Sequence, residues 1–449
     1  MKIKLKENIE IEAEDSVIKV IQKSCTHKNP KYDEALRLGY SVRKIDRYIQ
    51  LSNQIESGLN IPIGLLADLL IQYPNAEVID QRQTVKTHIP FTGTLRPYQQ
   101  LFIDQAIGIE SGVMVAATGA GKTVSGIALA SKLKQRTLIL VKSKDLAEQW
   151  RGAIKQFTGL ESGLIGGGKN TEGEQFTIGL TQTLFKRDLS QLDYGLVIAD
   201  ECHNAPASQF YKVINSLNSR YKFGLSATPQ RRDNLEFMIF SALGAICSEI
   251  KVDQLQGKVL PVEVNVIEHD FYEPMLFDSW NNYIEVISHD ESRNRLIIDE
   301  AEMYCCINLQ PTIILCSTVN HCELLSELAD YEGLEPLLIH GQLSSKVRAE
   351  RMRRAPESNL IIGTSQLLSE GIDLPHLEVL IFATPMSAVI DKENPTATKL
   401  IQSIGRCRRP YPGKEHAIVI DIVDRCGFGI STYKKRKHIY DLQGFKVAA

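Results

Sequence analysis

Lys122 and Thr123 follow three small residues, Gly119–Ala120–Gly121, where the apolar run Gly112–Val115 gives way to a helical pattern over about 123–134. A loop of small residues between a buried strand and a helix turns several backbone N–H groups toward one point. The helix N-terminus adds its positive end there, so the point suits a polyphosphate. Thr118, Gly119, Ala120 and Gly121 would line it with backbone, Lys122 would reach the β- and γ-phosphates, and the Thr123 hydroxyl would ligate Mg2+. Ala116 stands where such loops usually carry their first glycine, a change without cost if φ stays negative.

A second apolar run, Leu196–Val197–Ile198–Ala199, carries two adjacent carboxylates, Asp200 and Glu201, out at its end. In open α/β sheets that edge is where ligands collect. Asp200 suits coordination of Mg2+, and Glu201 can accept the proton of a water that attacks a γ-phosphate. An Asp-Glu pair alone would read as a solvated loop. Its place after the phosphate loop and before Gly224–Leu225–Ser226–Ala227–Thr228–Pro229 gives it the catalytic reading.

Lys122–Thr123, Asp200–Glu201–Cys202–His203, Ser226–Ala227–Thr228 and Gln402–Ser403–Ile404–Gly405–Arg406–Cys407–Arg408–Arg409 resemble, in order and spacing, motifs I, II, III and VI of superfamily 2 helicases. Leu95–Arg96–Pro97–Tyr98–Gln99, the stretch from Val141 to Trp150 and the Arg231/Asp233 pair are similar to the XPB-related branch. That branch includes phage fork-remodelling and branch-migration DNA helicases of the UvsW-like kind. The resemblance runs from about Leu95 to the C-terminus. It implies an α/β fold of two tandem RecA-like domains with parallel sheets, the use of ATP and Mg2+, and forked, branched or single-stranded DNA as partner. Work beside other recombination or replication proteins, in DNA recombination and repair, goes with it.

Roles follow residue by residue from the same resemblance. Arg96 and Gln99 occupy positions that contact adenine. Arg406 and Arg409, three apart at the head of the last helical segment and so on one face, take the place of arginine fingers, with Gln402 ordering the attacking water. Gly371 and Asp373 match motif V, where the aspartate contacts ribose or supports the fingers. Lys142, Ser143, Thr181, Gln182, Thr183, Ser317, Thr364, Ser365 and Gln366 match positions that touch a polynucleotide backbone. Taken singly, each Ser or Thr among them is as good a helix cap. Arg408 reads as solvated or DNA-facing, and the basic run Tyr433–His438 reads as an electrostatic contact.

The elements needed to hold these residues are visible as alternation. Thr137–Val141, Thr177–Leu180, Gly195–Ala199 and Tyr221–Leu225 predict strands of one parallel sheet. Thr312–Leu315, Leu337–Ile339, Leu360–Ile362, Val379–Phe382 and His416–Ile420 predict a second. This places an ATP-binding domain at 89–250 and a C-terminal domain at 251–449, with nucleotide between them. Residues 1–88 carry no nucleotide motif and read as a small α+β accessory domain: a half-exposed strand pattern over Lys2–Glu12 broken at Glu7–Asn8, a helix over Ile61–Tyr73, and a polar separator over Gln81–His88. Asn29–Pro30–Lys31–Tyr32 and Gly64–Leu65–Leu66 resemble landmarks of the phage helicases' N-terminal domain, which implies duplex or branched DNA binding. Gly166–Gly167–Gly168–Lys169 lacks the following Ser/Thr and helix, so it is a glycine turn and no second phosphate loop.

A chain of 449 residues with 43% hydrophobic and 23% charged residues has room for two or three ordinary soluble domains. Its net charge of −3 rules out a globally basic nucleic-acid binder, so any such surface is a local stripe. The apolar stretch Ile61–Ile71 is too short to span a bilayer and contains Asp68. Met1–Lys2–Ile3–Lys4 opens with alternating charge and no signal peptide, so a cytoplasmic location is expected, in a host cell if the chain is phage-encoded. Nine scattered cysteines without a Cys-x-x-Cys pair argue for reduced thiols, with Cys202 and Cys407 as packing residues. The leading reading is an ATP-dependent DNA helicase that remodels forks. An RNA helicase, a restriction-type duplex translocase and an ATP-gated nucleic-acid clamp stay open beside it.

Overall fold

The structure, a computed structural model, describes residues 1–117, 119–203, 207–227, 233–251, 254, 259–271, 277–365, 374–386 and 397–448. The expectations placed on Thr118, Thr228, Pro229, Arg231, Gln366, Gly371 and Asp373 lie outside these residues. The chain divides into two compact units, Met1–Lys251 and Val252–Ala449.

The first unit is built on an eight-stranded sheet. Its strands lie in the order Lys169–Thr171, Ser162–Gly166, Phe176–Leu180, Thr137–Val141, Leu196–Asp200, Tyr221–Ser226, Ser111–Ala116 and Ile246–Ile250. All neighbours pair in parallel except the hairpin of the first two, whose turn is the left-handed Gly167–Gly168. The central strands are buried along their whole length, as strands covered by helices on both faces must be. Helices Lys122–Leu133, Lys144–Thr158 and Ala207–Asn215 return the chain between them. Parallel strands oblige every crossover to bring the next strand in from the same end. The segments that follow Ala116, Val141, Leu180, Asp200 and Ser226 therefore all emerge at the carboxyl edge.

The same unit carries a five-stranded sheet in the order Asn53–Ile55, Gly58–Ile61, Ile9–Glu12, Lys2–Leu5 and Glu77–Asp80. The break at Glu7–Asn8 is the turn of a hairpin that pairs Lys2 with Glu12 and Leu5 with Ile9. Ile3, Leu5, Ile9 and Ile11 point inward and the lysines and glutamates outward. The helix expected over Ile61–Tyr73 is shorter. Ile61 ends a strand, Pro62 follows, a single 3-10 turn spans Ile63–Leu65, and the α-helix occupies Leu66–Gln72. Proline can neither donate nor let its predecessor turn helical, which moves the start downstream.

This small sheet is not set apart from the eight-stranded one. Leu235 and Met238 belong to the same apolar core as Ile3, Leu59 and Leu69. Gly64 approaches the backbone of 240–244 so closely that a Cβ would collide with it, and His27 stacks on Phe237 with ring centroids 4.4 Å apart. Lys222, 1% exposed, donates to the carbonyls of Glu7 and Ile214, each at 3.0 Å, while Asn8 Nδ2 donates to Asn215 O at 3.0 Å. The polar stretch expected as a separator is laid along the lobe. Gln83 and Lys86 form bridges with Ser219 and Gln135, and Arg82 pairs with Asp80 and Glu110.

The second unit holds a seven-stranded, wholly parallel sheet. Its order is Leu337–Ile339, Leu360–Thr364, Thr312–Cys316, Val379–Phe382, Ala417–Asp424, Val262–His269 and Lys446–Ala448. Val262–His269 and Lys446–Ala448 extend the sheet beyond the strands read from sequence. They lie near its margin and mix polar with apolar residues, so the buried-strand pattern does not mark them. No helix among the described residues is long and apolar enough to cross a membrane.

Candidate functional site

In the first unit Gly119 and Gly121 both adopt left-handed φ, +87° and +86°, and Gly121 is the N-cap of helix Lys122–Leu133. Ala116 is the last residue of its strand and is not among the positive-φ positions, so the alanine costs the turn nothing. Gln99 sets the loop from the other side. Its Nε2 donates to Ala120 O at 2.9 Å, its Oε1 accepts from Arg96 N at 2.9 Å, and it is 6% exposed. The amide expected to read adenine is thus occupied by backbone at both ends here, as a brace between the helix Pro97–Ile107 and the phosphate loop. Arg96, its neighbour, packs its guanidinium toward Tyr98 and donates to the Tyr98 hydroxyl at 2.8 Å.

Lys122 and the acidic pair meet. Lys122 Nζ lies 3.4 Å from Glu201 Oε1, and Trp150 Nε1 donates to Asp200 Oδ2 at 2.8 Å. Glu201 has φ +47°, an uncommon conformation for a residue with a side chain. Its second oxygen is 3.4 Å from His203 Nδ1, which also contacts Ser226 Oγ at 2.8 Å. His203 and Ser226 thereby join the ends of the strands Leu196–Asp200 and Tyr221–Ser226, the positions resembling motifs II and III. Burial and the adjacent Glu201 charge push Asp200 up to about 6. Burial would raise Glu201 too, but Lys122 and His203 outweigh it and hold its carboxyl below the usual range. Two carboxylates here face Lys122, with Lys142 and His203 also acting on Glu201. Hard oxygen donors in such a setting suit Mg2+, which Thr123 and Asp200 would hold.

The hydrogen bond from Trp150 to Asp200 is a contact at the site that the sequence reading missed. An indole N–H that is 1% exposed must find an acceptor, and the carboxylate at the end of a neighbouring strand supplies it. Cys202 and Cys407 are both buried packing residues, as expected.

The polynucleotide candidates stand at the carboxyl edges of the two sheets, but several hydroxyls serve the fold. Ser143 caps the helix Lys144–Thr158 by accepting from Leu146 N, and Thr181, 4% exposed, donates to Val141 O at 3.2 Å. Gln182 is exposed, while Lys142, Thr183, Thr364 and Ser365 are half-buried. In the second unit Ser317 Oγ is 2.7 Å from Thr384 Oγ1, and Thr318 caps the helix Val319–Tyr331.

Gln402 and Arg406 lie on helix Thr398–Cys407, Gln402 being 8% exposed. Two expectations are corrected there. The helix ends at Cys407, so Arg406 is in its last turn and Arg409 lies beyond it. The arginines do not share a helical face at its head, because Pro410 and Pro412 cannot continue the pattern. Arg408, expected to be solvated or DNA-facing, is half-buried: its Nε donates to Leu260 O at 3.0 Å and its guanidinium lies 5.2 Å from the Phe445 ring. The basic tail is corrected likewise. Arg436 is fully buried and forms a two-bond pair with Asp421, at 2.9 and 2.8 Å, which also accepts from Tyr440. Its neighbours Lys434, Lys435, Lys437 and His438 do face outward, so Arg436 alone is withdrawn from the expected contact run.

A left-handed glycine loop capping a helix, a lysine paired with an acidic strand end and a second parallel α/β unit define a nucleoside-triphosphate-using nucleic-acid motor. Residues 92–231 match the family model of the type III restriction enzyme res subunit, and residues 300–410 match the helicase conserved C-terminal domain. The chain belongs to the superfamily 2 helicases, with XPB/Rad25-like and viral helicases among its relatives.

A protein of Acanthamoeba polyphaga mimivirus assigned as an ATP-dependent RNA helicase is 27% identical over 375 residues, 78% of this chain and 68% of that one. A phage T5 protein assigned as a helicase is 27% identical over 400 residues, 86% of this chain and 84% of that one. A Rad25 protein of Halobacterium salinarum, assigned as a DNA 3'-5' helicase, is 28% identical over 330 residues, 70% of this chain and 52% of its own length. Among solved structures, a fragment of an HsdR subunit assigned to a type I restriction enzyme of Vibrio vulnificus aligns with TM-score 0.58 and 20% identity. That alignment covers 80% of this chain and 68% of the fragment.

Proposed function

We propose that this helicase acts on DNA and uses ATP to unwind or remodel forked and branched duplexes, by fork regression or branch migration. The observation that carries the substrate half is an exposed face in the N-terminal part. Leu36, Leu38, Tyr40 and Tyr48 are all at least half exposed, Tyr40 at 69%. Around them, Leu36–Tyr48 holds four cations, Arg37, Arg43, Lys44 and Arg47, against the single carboxylate of Asp46. In a chain of net charge −3, a local excess of cations interleaved with exposed aromatics suits phosphates and base faces. Asn29 fixes the base of this segment, with its Nδ2 donating to Asp46 O at 2.7 Å and its backbone N to Arg47 O at 3.0 Å.

In the ATP half of the reading, Gly119, Ala120 and Gly121 cradle phosphates and Lys122 neutralises the β- and γ-oxygens. Glu201 takes a proton from water. Mg2+, held by Thr123 and Asp200, supplies charge neutralisation on phosphate when bound. Arg406 and Arg409 of the second unit stabilise charge on the transferred group with Gln402 beside them, so hydrolysis needs both units. Gly371 and Asp373 complete the nucleotide contacts, and Arg96 borders the base. Lys142, Gln182, Thr183, Ser317, Thr364, Ser365 and Gln366 bind the strand backbone.

The test compares ATP hydrolysis and strand separation on forked, four-way and blunt DNA with the same measurements on duplex RNA. Preferential processing of forked and four-way DNA is expected, and the double change Arg43→Glu, Lys44→Glu should flatten the salt dependence of forked-DNA binding by about two phosphate contacts. Unwinding of RNA with no response to DNA would replace this reading by the RNA one, which the mimivirus relative's assignment favours.

A further inference from the structure

A cavity of about 450 Å3 opens in the second unit between helix Trp280–His289 and the first turns of helix Val319–Tyr331. That volume is within the ~300–1,000 Å3 typical of ligand pockets. Trp280, Ile284 and Leu324 give it apolar walls, Glu285 stands at its rim, and Ser317 and Thr318 close the end nearest the sheet. None of these groups other than Ser317 has a part in the ATP chemistry or strand contacts described above.

Three features bear on what fits. First, helix Val319–Tyr331 is 13 residues long and presents its N-terminus to the cavity, where only one amide, that of His321, is capped by the Thr318 hydroxyl. Second, His321 lines the cavity, is 1% exposed and has a ring nitrogen, Nδ1, without a hydrogen bond. Its Nε2 bonds Asn294 Oδ1 at 2.9 Å, and Asn294 Nδ2 in turn donates to Ser288 O at 3.0 Å. Nε2 therefore carries the ring proton, which leaves an acceptor lone pair on Nδ1. Burial, with Arg293 adding to it, pulls the imidazole down to about 3, so the ring stays neutral. Third, Trp280 is braced from behind by Tyr283 and Phe428, with centroids 5.4 and 6.4 Å away, and keeps part of its ring on the cavity side.

We propose that this cavity receives one unstacked base of a bound single strand, packed against the Trp280 indole, with the adjoining phosphate at the N-terminus of helix Val319–Tyr331. The proposal rests on the reading that the strand passes Ser317 and Thr318. A helix N-terminus attracts phosphate, and an indole face stacks any base. Glu285, which lines the cavity with His289 one turn on, disfavours phosphate beside it and can accept from an exocyclic amine. Adenine, guanine and cytosine carry such an amine and thymine does not, so the site prefers the first three.

The chain contains two tryptophans, Trp150 and Trp280, which makes the test direct. Trp150 is buried beside Asp200, whereas Trp280 faces the cavity. Tryptophan emission of the full chain is followed while single-stranded dC, dA and dT oligonucleotides are added without nucleotide, and oligonucleotide-stimulated ATP hydrolysis is measured in parallel. Quenching by dC and dA that exceeds quenching by dT is expected, and it should vanish in Trp280→Phe. Trp280→Ala should bind dC oligonucleotide roughly 5- to 100-fold more weakly, the range of one lost base–aromatic stack. Glu285→Gln, which can both donate and accept, should narrow the gap between dC and dT. Strand-stimulated hydrolysis with no Trp280-dependent quenching would overturn the pocket and leave the proposed function standing. Absence of both binding and stimulation would overturn the two together. Quenching by a peptide or a free nucleoside, but by no strand, would assign the cavity to another ligand and overturn the proposal.

Discussion

Lys222 offers the sharpest check on how the N-terminal sheet is joined to the ATP-binding lobe. Its amine is 1% exposed and donates to two carbonyls, Glu7 O from the hairpin turn and Ile214 O from the end of helix Ala207–Asn215. A neutral amine has just two N–H bonds to give, so the uncharged form satisfies the seam. Burial pulls the amine from 10.5 down to about 7, and Arg82 adds to that against Glu7.

Because the folded value lies below the unfolded one, the folded chain holds fewer protons between about 7 and 10.5. Stability from this group is complete above the unfolded value and is lost as pH falls through the folded one. Each pH unit within that window contributes up to about 1.4 kcal/mol, so raising the pH from about 7.5 to 9.5 should add on the order of 2.5 kcal/mol. Lys222→Met keeps the side-chain length and abolishes the titration. Urea unfolding of both chains, followed through Trp150 in a Trp280→Phe background, should show wild type gaining that increment over the variant as pH rises. Cysteines common to both chains cancel in the difference. Parallel stability curves would refute the argument and show the amine to be charged or hydrated at the seam.

Lys122→Ala should abolish ATP hydrolysis with circular dichroism unchanged, since the side chain faces Glu201 and no core; near-normal stimulated turnover would move catalysis elsewhere. Glu201→Gln preserves volume but removes the base, so ATP should still bind in an equilibrium assay while turnover is lost. Arg409→Ala should lower turnover by about 10^3-fold or more with little loss of ATP affinity, the pattern of a finger arginine. Gly64→Ala should shift the unfolding midpoint of the first unit downward, because its Cβ has no room against the backbone of 240–244.

The central strands and the ATP-site residues were legible because their signals are local. Leu138–Val141, Leu337–Ile339 and Val379–Phe382 are unbroken apolar runs, and Gly121–Lys122–Thr123 announces its turn by residue type. What could not be read depends on neighbours distant in sequence. Nothing near Trp150 tells that its N–H meets Asp200, and nothing near Gln99 tells that Ala120 O takes its amide. Arg436 lies in the densest basic run of the chain, yet Asp421 and Tyr440 draw it into the core, a pairing that a charge count cannot foresee. The small N-terminal sheet looked separable because it lacks motifs. Leu235 and Met238, far along the chain, complete its core.

The pairing of Lys122 with Glu201 has a consequence for the order of events at the site. Lys122, with His203 and Lys142 acting in the same direction, keeps the Glu201 carboxylate a poor proton acceptor. On the proposed function, polyphosphate would compete for that lysine. As the ammonium turns toward phosphate oxygens, its hold on Glu201 weakens and the carboxylate's proton affinity climbs. On the proposed function, basicity at Glu201 would then arrive with the substrate.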